Sequence, residues 1–516
     1  MEVDYEKFGL KCGIEIHQQL NTNKLFCNCP SVLREDAPHL TVKRKLRAVA
    51  GEIGEVDIAA QYETVKGREF FYEGYSDTTC LIEFDEAPPN SINEAALKAA
   101  LQTSMVLNAR PVDEIQVMRK TVVDGSNTTG FQRTALVSKE GFIETSNGKV
   151  RIETVCLEEE AARIIGRDGN SVTYRLDRLG IPLVEIATAP DIKTPEQCRE
   201  AAEQIGMILR STGKVKRGIG TIRQDVNISI KGGSRVEIKG VQDLKLLPLI
   251  VELEIIRQLN LIEIKSVLEE RNAVMTSMQI RDVSAIFKKT ECEVIRNALE
   301  KKGSVLVMPA PFFGSLLKKE IQKGKRLGTE LSDHAKKFGV GGLFHSDENL
   351  FGYGMSKDEI IGIAKKTGIG KGDAFILIAD RDERAMKALE AAKKRLLECF
   401  EGVPREVRNA NPDGTTTYLR PMPGSSRMYP ETDVIPVKVN MADVSLPELI
   451  TEKIARFETE YSLNPDLAEL AAYSEKAEAF EGFVKKFISL KPSFIAEIFL
   501  STEKSLSRKH GKKIEA

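Results

Sequence analysis

Several acidic residues and one histidine sit inside runs of this sequence that otherwise read as apolar strand. In "GIEIHQQL", residues 13–20, Glu15 and His17 alternate with Ile14 and Ile16, so on a pleated strand the carboxylate and the imidazole share one face. "CLEEEAAR" places Glu158, Glu159 and Glu160 consecutively, and "IPLVEIATAP" isolates Glu185 between Val184 and Ile186. A lone carboxylate in such a run is expensive to bury without a cation or a donor beside it. Oxygen ligands with one imidazole suit Mg²⁺ or Mn²⁺ better than zinc, and a Mg²⁺ site needs few carboxylates because phosphates and water complete its shell. The chemistry these residues suggest is metal-assisted phosphoryl transfer.

Partners for phosphate are harder to read. Arg223, Asp225 and Asn227 share one face of "TIRQDVNISI", and Glu237 and Lys239 share a face of "VEIKG"; an antiparallel sheet wetted on one side gives the same alternation. The loop 119–134, "RKTVVDGSNTTGFQRT", is rich in Gly, Ser and Thr and flanked by Arg119, Lys120 and Arg133. It offers backbone N–H groups and fixed charge to a polyphosphate, or is an ordinary surface loop. There is no Walker sequence and no dinucleotide fingerprint, and "GVGG" at 339–342 reads as a turn. No nucleophile accompanies His39, His334, His345 or His510, and "GSS" at 424–426 is a small-residue loop. An amidase triad is therefore absent from the reading.

The elements that must position these groups are mostly strands in the first third of the chain. "SNG" at 146–148 joins two alternating arms as a hairpin. Helices are expected at about 91–107, with Ser91 as N-cap, and at 195–211, where Thr194, Pro195 and Gln197 form a capping box and Gly213 closes the end. From about 285 to 400 the texture turns to Lys-rich helices around apolar strands, then returns to Pro, Gly and aromatics, and from about 443 it reads as amphipathic helices. With 516 residues, 41% hydrophobic, the chain exceeds the roughly 250–300 residues one core sustains, so several domains are expected. The balance of 75 basic and 76 acidic residues gives no global field for a polyanion. The absence of a signal peptide and of a membrane-length apolar run, with eight scattered cysteines, suggests a reducing, cytoplasmic setting. Cys27 and Cys29 look paired, but no second pair at knuckle spacing follows, so no zinc is expected.

Taken in order, "GIEIHQQLNTNKLFC", "DGSNTTGFQRT", "LEEEAARI", "LDRLGIPLVEIATAPDI", "IRQDVNISI", "EIKGVQ", "GGLFHSDE" and "GTTTYLRPMPGSSRMYPETD" resemble the archaeal-type E subunits of glutamyl-tRNA(Gln) amidotransferase, relatives of the bacterial B subunits. The resemblance runs from about residue 9 to 500. It implies an α+β multidomain fold: a mainly antiparallel catalytic cradle over 1–284 and 405–442, an inserted α/β domain like that of bacterial aspartyl-tRNA synthetases over 285–404, and a helical domain over 443–516. It also implies a reaction in which ATP activates the γ-carboxylate of glutamate held on tRNA(Gln) and ammonia then displaces the phosphate. Ammonia would come from an asparaginase-like D subunit in a heterotetramer, with ATP and Mg²⁺ required.

Matched motif by motif, the resemblance makes Glu15, His17, Glu159 and Glu185 the catalytic metal ligands, with Glu158 as the alternative to Glu159. Arg119, Lys120, Gln132, Arg133, Arg223, Asn227 and Lys239 become the phosphate or acyl-end contacts, and His17 could instead orient a metal-bound water. Family members continue into a tail domain that contacts tRNA, whereas this chain ends at Ala516; the expectation is that it lacks that domain. Two rivals stay open: an RNA-binding scaffold without catalysis, and an ATP-dependent ligase of a small acid.

Overall fold

A computed structural model describes residues 5–48, 54–65, 67–275, 278–424, 427–474 and 476–511. The last residues of the basic C-terminus and two of the three in the 424–426 loop lie outside the described residues. The opening strand Lys11–Gln19 sits at the centre of an 11-stranded sheet. On one side of it follow Ile222–Ser229, Val236–Val241, Glu406–Ala410 and Thr416–Pro421; on the other, Pro182–Thr188, Gly148–Glu159, Phe131–Thr145, Val117–Thr121 and Met428–Pro430. All neighbours are antiparallel except Val236–Val241 with Glu406–Ala410.

The two outer strands of that series are almost consecutive in sequence. Laid flat, nine inter-strand steps of about 4.8 Å would separate them by about 43 Å. The six residues from Met422 to Arg427 join Pro421 to Met428, and seven Cα steps reach about 25 Å at most. The sheet must therefore roll until its edges approach, leaving one concave face with the 422–427 connection as a strap beside it. The convex face is covered by the helices Glu94–Val106, Pro195–Ser211 and Leu247–Glu270, which pack on its strands. Ile14, Ile16, Val184, Ile186 and Val226 point into that core at 0–1% exposure.

Local signals account for most boundaries. Thr194 caps the helix Pro195–Ser211, accepting from Gln197 N, but the Gln197 side chain accepts from Lys193 N and not from the cap, so the capping box is half formed. Asn93, not Ser91, caps the preceding helix: its side chain accepts from Ala96 N, and the helix starts at Glu94. Ser91 stands too far upstream to reach the first free N–H groups. Ser146 and Asn147 form the two-residue hairpin loop between Phe131–Thr145 and Gly148–Glu159.

Beyond the central sheet, Arg281–Asp282, Ser304–Ala310, Ala374–Asp380 and Phe344–His345 form a separate four-stranded sheet with helices on both sides. One of its faces (Val305, Val307, Leu377) has its own core, while the other (Leu306, Met308, Ile376, Ile378) joins the core under the central sheet. A buried ionic network crosses the same junction. Glu330 Oε1 accepts from Arg395 Nη2 at 2.6 Å, and Glu330 Oε2 pairs with Arg408 at 3.1 Å and Arg257 at 3.2 Å. Glu254 and Glu406 balance the remaining charge, and all six side chains are at most 2% exposed. Residues 450–510 build a helical unit around Phe457, Tyr461 and Phe480. No helix among the described residues is long and apolar enough to cross a membrane.

Removing one partner of a buried network leaves uncompensated charge, at a cost of about 3–5 kcal/mol. Glu330→Gln should lower the denaturant midpoint accordingly, whereas Glu383→Gln, which breaks the exposed pair with Lys387 on the same unit, should leave it unmoved. Equal behaviour of the two variants in urea would show that the network does not hold the junction.

Candidate active site

Cross-strand register brings the charged residues of four neighbouring strands onto the concave face. His17 lies opposite Glu185 on one side and Arg223 on the other; Glu15 lies opposite Asp225. The next strand brings Glu158 to the same place. His17, Glu158 and Glu185 each offer one ligand atom, all within 4.8 Å of one another, and Glu15, Asp225 and Glu237 form a second such group. Donors to one ion can be no farther apart than about twice the metal–oxygen distance, roughly 4–5 Å, so the first group fits a hard divalent cation. Both groups line one cavity of about 720 Å³, with Lys120, Gln132, Arg223 and Lys239 also on its wall.

An ammonium sits on each acid group. Lys120 Nζ lies 2.5 Å from Glu158 Oε1 and 3.6 Å from Glu185 Oε2. Lys239 Nζ lies 2.6 Å from Asp225 Oδ2 and also contacts Glu237. Burial alone would lift the Glu185 carboxyl, but Lys120 and His17 outweigh it and hold it well below the usual range. Burial lowers the His17 imidazole, yet the hydrogen bond to Glu185 at 3.0 Å and the charges of Glu185, Asp225 and Glu158 raise it to about 9. Glu15 goes the other way, raised first by burial and then by Glu185 and Glu237. Asn227 donates to Glu15 Oε1 at 2.9 Å and accepts from Arg235, so it positions the carboxylate and is not free for a ligand. Arg223 pairs with Glu160 at 2.8 Å.

Three residues expected at the site point elsewhere. Arg119, Arg133 and Glu159 each precede or follow a cavity-facing neighbour, Lys120, Gln132 and Glu158, and strand alternation turns them to the opposite face. They meet there around Glu431: Arg119 at 2.6 Å, Arg133 at 2.8 Å, with Arg133 N donating to Glu159 Oε1 at 2.9 Å. Arg119 also lies 4.5 Å from the centroid of the Phe131 ring. By geometry Glu158, the alternative, is the carboxylate that joins His17 and Glu185.

The expectation about zinc also needs correcting. Cys80 and Glu83 come to within 4.8 Å of Cys27 and Cys29, a donor set of three sulfurs and one oxygen compatible with tetrahedral zinc. The signal was "CLIE" at 80–83, missed because a glutamate stands where a second cysteine would complete the pair. Glu83 accepts from the Cys27 thiol at 2.8 Å and from Cys80 N at 2.7 Å, and lies 3.4 Å from buried Lys24. Asp225 and Glu237 were legible as strand-face residues. Arg178, Arg420 and Arg427, which also line the cavity, carried no local signal.

Comparison with known proteins settles the lineage. The family described as GatB/GatE catalytic domain matches residues 10–445. The chain belongs to the GatB/GatE family. The E subunit of glutamyl-tRNA(Gln) amidotransferase from Methanocaldococcus jannaschii is 52% identical over 98% of this chain and 82% of its own length. Its counterpart from Methanococcus maripaludis strain C7 is 50% identical over 98% and 81%, and that from Methanosarcina barkeri is 51% identical over 94% and 77%.

The raised imidazole sets a pH signature in the GatB/GatE cradle. Its stabilising contribution in chelator-treated protein is complete below pH 6.5 and lost as pH rises through about 9, amounting to about 3 kcal/mol at full extent. The stability advantage of wild type over His17→Gln should shrink across that interval in denaturant titrations. A constant difference would mean that the imidazole is not held protonated by Glu185.

Proposed function

We propose that this chain catalyses the ATP-dependent conversion of glutamate esterified to tRNA(Gln) into glutamine, the activity named for its relatives. The observation that carries the reading is the His17–Glu158–Glu185 group inside a cavity that also holds unpaired cations. A carboxylate is a poor acyl donor. Attack of a γ-carboxylate oxygen on the γ-phosphorus of ATP expels ADP and makes the acyl carbon electrophilic; ammonia then adds, the C–O bond to phosphate breaks, and a proton is lost. Mg²⁺, held by His17, Glu158 and Glu185, would neutralise the phosphate oxygens and orient the transfer.

The chain's own residues support each stage. Lys120, within reach of both Glu158 and Glu185, is the nearest cation to a phosphoryl group bound there. Glu15, fixed by Asn227 and Arg235, and Asp225 line the adjoining wall. Among the described residues nothing resembles a glutaminase nucleophile, which agrees with ammonia arriving from a separate asparaginase-like D subunit in a heterotetramer. This reading places the protein in the cytoplasm, where its tRNA substrate is.

With Mg²⁺, ATP, free ammonium and glutamyl-tRNA(Gln), the chain alone should form glutaminyl-tRNA and ADP. Glu158→Gln should reduce the rate by about 10²–10³-fold, the usual cost of losing a preorganised electrostatic contact, while Glu159→Gln retains most of it. If Glu159→Gln is the inactive variant and Glu158→Gln is not, the ligand assignment is wrong. If the wild-type chain binds the tRNA but forms no ADP, the catalytic reading fails.

A further inference from the structure

The cations on the cavity wall divide by whether their charge is already spent. Lys120, Arg223, Arg235 and Lys239 each have a carboxylate within 4.0 Å. Arg178 directs Nε and Nη2 at the carbonyls of Ala161 and Ala162, at 2.8 and 3.0 Å. Arg420 and Arg427 differ. Among the described residues neither has an ion-pair partner; Arg427 makes one hydrogen bond, Nε to Thr121 O at 3.2 Å, and Arg420 makes none.

Their position follows from the roll of the sheet. Arg420 is next to last in the strand Thr416–Pro421, and Arg427 ends the strap that leads to Met428–Pro430. Two arginines attached to opposite edges of the sheet therefore face one cavity. Burial, and Arg420 after it, pulls the Arg427 pKa below its ordinary value, so each guanidinium destabilises the other's charge. Like charges placed together without counter-ions are stabilised by an anion that reaches both, and a guanidinium fork fits phosphate oxygens in pairs.

We propose that Arg420 and Arg427 form the seat for the polyphosphate of the nucleotide. This rests on the ATP-dependent reading above and assigns the anion-binding work to the segment that returns after the insertion, in place of Arg119 and Arg133. A polyphosphate suits this cavity better than a lone carboxylate does. Its outer oxygens can meet the two arginines while a bound cation carries it past the acid groups, which would repel a bare monoanion.

The test is calorimetric titration of the full chain with tripolyphosphate and with ADP in Mg²⁺, beside filter binding of glutamyl-tRNA(Gln). Wild type should bind both phosphate ligands. Arg420→Met and Arg427→Met should each weaken them by about 10–100-fold, the worth of a charged hydrogen-bond pair, with tRNA affinity unchanged. Arg427→Lys should fall between, keeping the charge but losing the fork. Should Arg427→Met prove unfolded by circular dichroism, Arg420→Met carries the test alone, because its guanidinium holds nothing in place. Variants that bind tripolyphosphate like wild type overturn the proposal, as do variants that lose only tRNA, which would make the pair an RNA contact. A wild-type chain that binds neither phosphate ligand overturns the ATP-dependent reading together with it.

Discussion

The six residues between Pro421 and Met428 are too few to span a flat sheet of this width. That shortage is what turns a sheet into a cavity. Once the edges are drawn together, every strand's second face looks inward, and residues separated by many strands in the hydrogen-bonded order come to line the same space. Alternation then decides which chemistry enters: Ile14 and Ile16 go to the helix-covered core and Glu15 and His17 to the cavity. The segment that supplies the strap also supplies both edge strands, so the edges and their closure are a single stretch of chain.

A concave face carrying this many carboxylates would repel itself if its cations were elsewhere. The molecule answers with one ammonium per acid group, Lys120 on Glu158 and Glu185, Lys239 on Asp225 and Glu237. Both lysines bear raised pKa values because these carboxylates outweigh the cost of burial. The acid groups are thus compensated before any divalent ion arrives, and an ion bound by the same oxygens competes with an ammonium already there. Mobile amines suit that exchange better than guanidinium forks do, since one flexible point charge can turn aside while its neighbours keep their places.

How much of this was legible in the sequence depends on range. Period-two alternation placed Glu15, His17 and the Arg223–Asn227 face correctly, because that information is local to one strand. The same rule, applied to the consecutive pairs 119/120, 132/133 and 158/159, would have split each of them between two faces. Matching motifs as whole strings hid that division and sent Arg119, Arg133 and Glu159 to the wrong side. Cys80 and Glu83 lie more than fifty residues from Cys27 and Cys29, and only the tertiary fold joins them. Arg420 and Arg427 were illegible for a stronger reason. Their meeting depends on the roll of the whole sheet, a property of strand order that no window of sequence contains.

The ionic network at the insertion bears on the same cavity. Glu330 belongs to the helix Leu327–Lys336, while its three arginines come from three other elements: Arg257 from Leu247–Glu270, Arg395 from Asp382–Glu401 and Arg408 from Glu406–Ala410. A hinge there would have to part buried opposite charges, at several kcal/mol for each charge left alone. The neighbouring strand is gripped as well. Lys325 Nζ donates to Thr416 O at 2.8 Å and to Thr417 Oγ1 at 2.7 Å, and His334, kept neutral by burial and by Arg395, stacks on Tyr418 with ring centroids 3.6 Å apart. Tyr418 and Arg420 lie two residues apart on that strand, so their side chains leave on the same side and the grip on one constrains the other. The insertion is therefore part of what fixes the edge from which Arg420 reaches the cavity.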